Sequence, residues 1–349
     1  MSETMRRVSV VAPGEVRVDD VPRPSPQAGE VLVRTAVAGV CGSDTHAAAG
    51  QHPFVPLPYN PGHEVVGVIA GVGEGVSGYA AGDRVTVEPT LPCWACKMCS
   101  TGRSNLCENL RFFGCGHAQG GMADYFTIPA GRLHRVPEHF TDAEAALIEP
   151  LATPVHAVRL AGADRPAGPG GLAGRAVAII GAGTIGLLVL KAARHAGARR
   201  IVMTDPLPAK RELALRLGAD AVVDARGAGV PGRVRAELGE SADVVFDCVA
   251  IQATVDQAIA MALKAGTVVI VGVARGPVTV PLPEIQDQQV RIQGSATYLP
   301  EDYTDSIEII ASGAVRAEDF VTATFPMERA AEAFAAAVDG SQVKVLVRA

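Results

Sequence analysis

The run "AVAIIGAGTIG" (residues 176–186) constrains the fold of this chain more than any other stretch. Five apolar residues lead into glycines spaced G-x-G-x-x-G, and helix-forming residues follow, which describes a buried strand turning sharply into a helix. Glycines at these positions permit the tight turn, close backbone approach to a pyrophosphate, and close helix–strand packing. The helix N-terminus presents N–H groups and a positive dipole to phosphates. Gly181, Gly183 and Gly186, with Ile185 at the helix entry, are therefore candidate contacts to a dinucleotide.

Downstream the alternation continues. Strand-like "IVMT" (201–204) precedes helical "AKRELALRLG" (209–218), then "AVV" (221–223) and "DVVFDCVA" (243–250) read as strands. A helical stretch over 253–264 leads into "TVVIVGVA" (267–274). Such alternation predicts parallel βαβ units in a doubly wound sheet. Asp205, at the end of the second strand, is placed to accept hydrogen bonds from a ribose 2′-hydroxyl and to repel a 2′-phosphate, which favours NAD over NADP. Lys210 and Arg211 follow closely and soften that preference.

The first part of the chain reads differently. "RRVSVVA", "GEVRVDDV", "GEVLVRTAVAGV", "EVVGVIAGVG" and "DRVTVEP" are short Val-rich runs broken by Gly and Pro, the mark of a β-rich region. Four prolines in "QHPFVPLPYNP" (51–61) exclude a regular helix or central strand. The Gly/Pro-rich "AGADRPAGPGGLAG" (161–174) predicts a flexible surface connection near a domain boundary, and the tail from about 298 returns to helices and a final "VKVLV" strand. At 349 residues the chain exceeds one ordinary core. The predicted architecture is α/β: a β-rich domain of residues 1–156 completed by 298–349, and a doubly wound parallel-sheet domain of residues 157–297.

With 48% hydrophobic and 19% charged residues, the composition is that of a soluble globular protein. A net charge of −6 argues against a nucleic-acid or anionic-membrane partner, which would need a basic surface. No apolar run approaches the roughly 18–20 residues that span a bilayer, and the N-terminus lacks the apolar core of a signal peptide. A cytoplasmic location is the expectation.

Seven cysteines, an odd number and mostly clustered, fit reduced thiols or metal ligands better than a disulfide framework. "CWACKMCSTGRSNLC" spaces Cys93, Cys96, Cys99 and Cys107 as C-x2-C-x2-C-x7-C. Four thiolates this close can enclose one tetrahedral ion, usually zinc. The ferredoxin iron–sulfur run also opens C-x2-C-x2-C, but it continues x3-C-Pro, whereas here the gap is seven and Glu108 follows. A closed four-thiolate site leaves no position for substrate, so zinc there is structural.

A second constellation is dispersed. "GVCGSDTH" supplies Cys41, Ser43, Asp44 and His46, "PGHEVVG" supplies His63 and Glu64, and "LIEPLATPVHA" supplies Glu149. Singly each has a plainer reading: Cys41 as a small buried hydrophobe, Ser43 as a turn hydroxyl, Glu149 as a helix-entry charge. Together they form the mixed set a catalytic zinc uses, because it leaves a coordination position for water or substrate.

Residues 62–76, "GHEVVGVIAGVGEGV", resemble the zinc-alcohol-dehydrogenase signature at Gly62, His63, Glu64, Gly67, Gly73 and Val76. With "GVCGSDTH", the cysteine tetrad and "EPLATPVHA" in the same order, nearly the whole chain resembles the zinc-dependent medium-chain dehydrogenase/reductase superfamily. Within it the sorbitol, threonine and butanediol dehydrogenases are most similar, because Glu149-Pro150 stands where liver-type alcohol dehydrogenases place a cysteine ligand. The resemblance implies a GroES-like catalytic domain beside a Rossmann domain, and two zinc ions per subunit, one catalytic and one structural. Cys41, His63 and Glu64 would hold the catalytic ion, with Glu149 as a fourth ligand or acting through the bound water. Ser43 and His46 would relay the proton. Val271, Gly272 and Val273 would lie on the nicotinamide side of bound NAD. A small-molecule alcohol or polyol substrate and a homo-oligomer, tetramer or dimer, are further implications.

The same motifs would also serve a redox-neutral epimerase using bound NAD, or a non-catalytic dinucleotide-binding redox sensor. A zinc-independent NAD(P)H reductase would lack the Cys/His/Glu set and the cysteine loop. Phe54, Tyr59, Phe112, Phe113 and His117 neighbour the motifs and are candidates for the substrate pocket, while Cys115 reads as a buried inert thiol rather than a further metal contact.

Overall fold

The computed structural model describes residues 3–162 and 171–349, so the centre of the 161–174 connection (163–170) lies outside the described residues. The chain forms two compact units. One comprises Met1–Pro150, Leu299–Ala311 and Arg316–Ala349, and the other Leu151–Tyr298 and Ser312–Val315. The first division falls inside the helix Ile148–Ala161, whose opening turn belongs to the β-rich unit.

The β-rich unit is organised around the strand Glu30–Val40. Along one edge this strand pairs antiparallel with Glu64–Val72. Its other edge is shared: residues 30–34 pair with Tyr125–Pro129, and residues 37–40 with the C-terminal strand Lys344–Arg348. Arg84–Val87 and Leu133–Arg135 extend the sheet beyond Glu64–Val72, and Val321–Pro326 runs parallel beyond the C-terminal strand. Val33, Val65, Val85, Phe126, Phe334 and Val345 pack into the core, each buried side chain contributing on the order of 1.5–3 kcal/mol. The proline-rich interval 51–61 forms neither helix nor continuous strand, and Tyr59 makes a single bridge to Val10.

The second unit holds six parallel strands in the order Ala221–Asp224, Arg200–Asp205, Ala176–Ile180, Ala242–Asp247, Ala262–Ile270, Arg291–Gly294. In sequence terms this is 3-2-1-4-5-6, the doubly wound dinucleotide order. Ala176–Ile180 is buried at every position, as an unbroken apolar run requires in a sheet covered on both faces. It delivers the chain into the helix Thr184–His195. The helix expected over 253–264 is Gln252–Met261, and the chain turns extended at Ala262 to pair with Ala242.

A helix at Val230–Leu238 was not expected, because Pro231 and Gly232 obscure its pattern. Proline in a first turn removes no intrahelical hydrogen bond. Val230, Val234 and Leu238, at four-residue spacing, bury one face. Among the described residues, no helix is long and apolar enough to cross a membrane.

Candidate metal centres and dinucleotide site

Cys41 ends the central strand and caps the helix Gly42–Ala48. The geometry of that corner is held by Asp44, which is fully buried and accepts the Cys41 N–H at 3.0 Å. Tyr59 donates its hydroxyl to the Asp44 carbonyl at 3.1 Å. Asp44 Oδ1 stands 3.8 Å from His63 Nδ1. His63 is buried directly before the strand Glu64–Val72, its ring edge-on to Phe112 at 5.6 Å.

One ligand atom each from Cys41, His63 and Glu64 lies within 4.8 Å of the others. Burial works against protonation of His63, but the Asp44 carboxylate and Cys41 outweigh it and raise its pKa well above the ordinary value. His63 Nδ1, the nitrogen that faces Asp44, is buried without a hydrogen-bond partner. A thiol, an imidazole and a carboxylate converging in this way fit zinc.

Glu149 sits buried in the first turn of Ile148–Ala161 and is not one of this close trio. Its charge acts on His63, Cys115 and Lys344. Ser43 and His46 lie three residues apart on the Gly42–Ala48 helix, both partly exposed, and so share a face. Of the pocket candidates, Phe112 touches His63, Tyr59 supports Asp44, and Phe113 is wholly core. Phe54 is 81% exposed. Cys115 is half-buried, and burial pushes its thiol up to about 12, with His63, Asp44 and Cys41 also acting on it. His117 accepts the Gln119 N–H, and burial lowers its pKa.

Sequence reading missed Lys344. This buried ammonium sits 2.6 and 2.7 Å from the two oxygens of Glu64. The one signal was a lone lysine opening an otherwise apolar terminal strand.

The cysteine tetrad closes on itself. Cys96 Sγ is 3.5 Å from Cys99 Sγ and 3.9 Å from Cys107 Sγ. The backbone N–H groups of Cys93 and Asn109 point at Cys107 Sγ, at 3.2 and 3.3 Å. The Ala95 N–H, followed by Cys107 and the Cys96 N–H, brings the Cys93 thiol down to about 6. Donors aimed at sulfur favour thiolate, the form that binds metal.

In the second unit Gly181 turns at φ +94°, and Gly183 caps the helix. A Cβ on Gly186 would stand 1.9 Å from the Gly181 carbonyl oxygen, so only glycine fits. Ile185 is partly buried in the same first turn. Asp205 accepts the Ala182 N–H at 2.9 Å and the Leu207 N–H at 2.8 Å. Arg211 donates to the Asp205 carbonyl at 2.8 Å and lies 3.4 Å from Asp224. Lys210 is partly buried on the helix Pro208–Arg216. Val271 and Gly272 donate their N–H groups to the Asp247 carbonyl, and Val273 is half exposed.

Two expectations follow. Gly186→Ala weakens NADH binding at least about tenfold, or ~1.4 kcal/mol, read by cofactor fluorescence; unchanged affinity would remove the close-approach argument. Cys99→Ser is expected to leave one zinc per chain instead of two by elemental analysis and to lower Tm by roughly 3 °C or more, a loss near 2 kcal/mol at this size. Full zinc content in that variant would show that the tetrad holds no ion.

Residues 27–138 match the family model for the alcohol dehydrogenase GroES-like domain, and residues 184–312 that for the zinc-binding dehydrogenase. The sorbitol dehydrogenase of Bombyx mori is 32% identical over 340 residues, covering 95% of each chain. Among solved structures, the 2R,3R-butanediol dehydrogenase of Bacillus subtilis aligns with a TM-score of 0.89 at 29% identity over 99% of both chains. A protein of Sinorhizobium meliloti 1021 bound to NADP aligns with a TM-score of 0.88 at 32% identity over 100% of both. These matches run the length of both units, and the chain belongs to the zinc-dependent medium-chain dehydrogenase/reductase family of oxidoreductases.

Proposed function

We propose that the chain oxidises a secondary alcohol or polyol to the ketone, with NAD as hydride acceptor. The observation that carries this reading is the Cys41/His63/Glu64 trio, a mixed donor set that leaves room for a substrate oxygen. Its relatives include a sorbitol and a butanediol dehydrogenase. When bound, zinc supplies Lewis-acid polarisation that lowers the alcohol pKa towards neutrality, and NAD⁺ supplies the carbon that takes the hydride.

The chain's own residues do the rest. Cys41 and His63 would hold the ion together with a carboxylate, Glu64 or Glu149, and Asp44 keeps His63 in place. As the substrate C–H bond gives up its hydrogen and electron pair, the O–H proton passes to the Ser43 hydroxyl. Ser43 gives its own proton to the His46 imidazole, which releases it to water. The glycine turn at 181–186 receives the pyrophosphate on the helix N-terminus. Asp205 meets the ribose hydroxyls, and Arg211, engaged by Asp224 and the Asp205 carbonyl, is less available to a 2′-phosphate.

We assign residues 1–156 with 298–349 to catalysis and 157–297 to the cofactor. The free state of all seven cysteines supports a reducing, cytoplasmic setting. A homo-oligomer, dimer or tetramer, is supported by the edge strand Arg291–Gly294, exposed at every position, with Ile292 and Leu282 bare beside it.

A panel of polyols, cyclitols, amino-sugar alcohols, threonine and vicinal diols, followed at the NADH absorbance, tests the reaction. At least one substrate is expected to reduce NAD⁺, with NADP⁺ poorer, and the activity is expected to vanish with a strong chelator and return with zinc. Turnover that persists after verified loss of both metals would sink the zinc mechanism. Cofactor binding with no turnover on any substrate would favour the sensor, and a product epimer without net NADH would favour the epimerase. Light scattering of Ile292→Lys is expected to show a smaller assembly than wild type; an unchanged mass would remove the edge strand from the interface.

A further inference from the structure

A cavity of about 280 Å³ lies in the β-rich unit, and neither the tetrad cysteines nor Cys41, His63, Glu64 or Glu149 line it. One wall is the hairpin of Thr4–Ala12 with Glu15–Pro22, and the other is the segment 119–125. Backbone hydrogen bonds fix the walls against each other. Val8 donates to the Met122 carbonyl at 2.8 Å, and Asp124 to the Arg6 carbonyl at 3.0 Å. Met5, Val21, Pro22, Pro24 and Ala123 make the lining largely apolar, and Arg7 is its single charged group. The Gln119 amide at the wall is already engaged by Thr127, donating to its hydroxyl at 2.9 Å and accepting its N–H at 3.0 Å.

A guanidinium cannot shed its proton inside a protein, so burial obliges it to find acceptors. Arg6, whose side chain leaves the other face of the strand, has them in Asp124 at 2.6 Å and in Glu328. Arg7 has none. Its Nε is buried without a hydrogen-bond partner, and among the described residues no ion pair holds its guanidinium. Asp19 stands opposite Arg7 in the hairpin register, yet the two form no ion pair. A second guanidinium, that of Arg23, lies 3.9 Å over the ring of Tyr125, which lines the cavity, and adds positive charge nearby.

We infer that this cavity is a binding site for a small monocarboxylate with an apolar body. Nε and one Nη of Arg7 would donate side by side to the two carboxylate oxygens, the bidentate pairing that guanidinium geometry favours. The body behind the carboxylate would cover the apolar lining. A volume just under the roughly 300–1,000 Å³ of drug-sized sites limits that body to a single ring or a short branched chain. Inorganic phosphate fits poorly, because its further oxygens would lose water against apolar walls. The site does not depend on the metal centre or on the alcohol chemistry.

Calorimetric titration of the full-length, zinc-loaded protein with sodium benzoate tests the inference. Wild type is expected to bind benzoate with a Kd of about 1 mM or tighter, the range open to so small a ligand. Arg7→Met is expected to weaken binding at least about tenfold, the scale of a lost hydrogen bond to a charged group. Benzamide, similar in shape but uncharged, and inorganic phosphate are each expected to bind at least about tenfold more weakly than benzoate. No binding by wild type would overturn the site. So would undiminished binding by Arg7→Met, which would put the anion elsewhere, as on a metal. Benzamide or phosphate matching benzoate would overturn the ligand class. If Arg7→Met does not fold, wild-type crystals grown with 4-iodobenzoate decide: the iodine peak is expected in this cavity, and its absence there overturns the inference.

Discussion

Around the mixed cysteine site of the β-rich unit, the ionisable side chains Asp44, His63, Glu64, Glu149 and Lys344 are all out of water. An isolated charge in such a place costs many kcal/mol, so each demands a partner nearby. The Glu64–Lys344 contact joins residues 280 positions apart. A site that begins at Cys41 is thus completed only when the terminal strand Lys344–Arg348 docks beside Glu30–Val40. That requirement accounts for the order of the units along the sequence. The dinucleotide fold occupies the interval between Glu149 and the terminal strand, and the chain's end returns to close the sheet it left. Breaking such a pair by removing one partner costs about 3–5 kcal/mol, more than a surface ion pair such as Arg329–Glu332 contributes.

Much of this was legible from residue patterns. The "AVAIIGAGTIG" run and the strands after it describe the doubly wound sheet because each element carries its own periodicity and its own turn chemistry. The tetrad is local too, confined to fifteen residues whose spacing alone implies enclosure of an ion. Cys41 and His63 come from separate segments, and resemblance to a known signature singled them out where periodicity could not. Lys344 stayed hidden for a physical reason. Its place at the head of the Val-rich terminal strand is only a faint signal, and its partner exists only once the register sets Val345 against Val40 and Gly39 against Glu64. The helix Val230–Leu238 was obscured by residues that break helices in the interior and are harmless in a first turn.

Asp205 illustrates how a sequence signal acquires a second meaning in three dimensions. It was picked as a ribose acceptor, yet both of its oxygens accept backbone N–H groups, from Ala182 in the glycine turn and from Leu207 beyond its own strand. The carboxylate ties the glycine turn to the end of the second strand while keeping lone pairs for a ribose. On the proposed reading, cofactor discrimination and loop geometry would be coupled in one side chain. Substitution at 205 alters the turn as well as the preference, whereas the arginine that would welcome a 2′-phosphate is governed separately, through Asp224.

The two cysteine-bearing sites invite opposite chemistries for the same underlying reason. At the tetrad, four sulfurs of one kind approach one another closely, and backbone N–H groups point at them. Every ligand position is taken, so an ion there can brace a loop but cannot receive a substrate. At the mixed site a thiol, an imidazole with an unpartnered nitrogen and a carboxylate already shared with an ammonium offer fewer committed electron pairs than a metal needs. An ion held by such a set would keep a coordination position open to an outside oxygen.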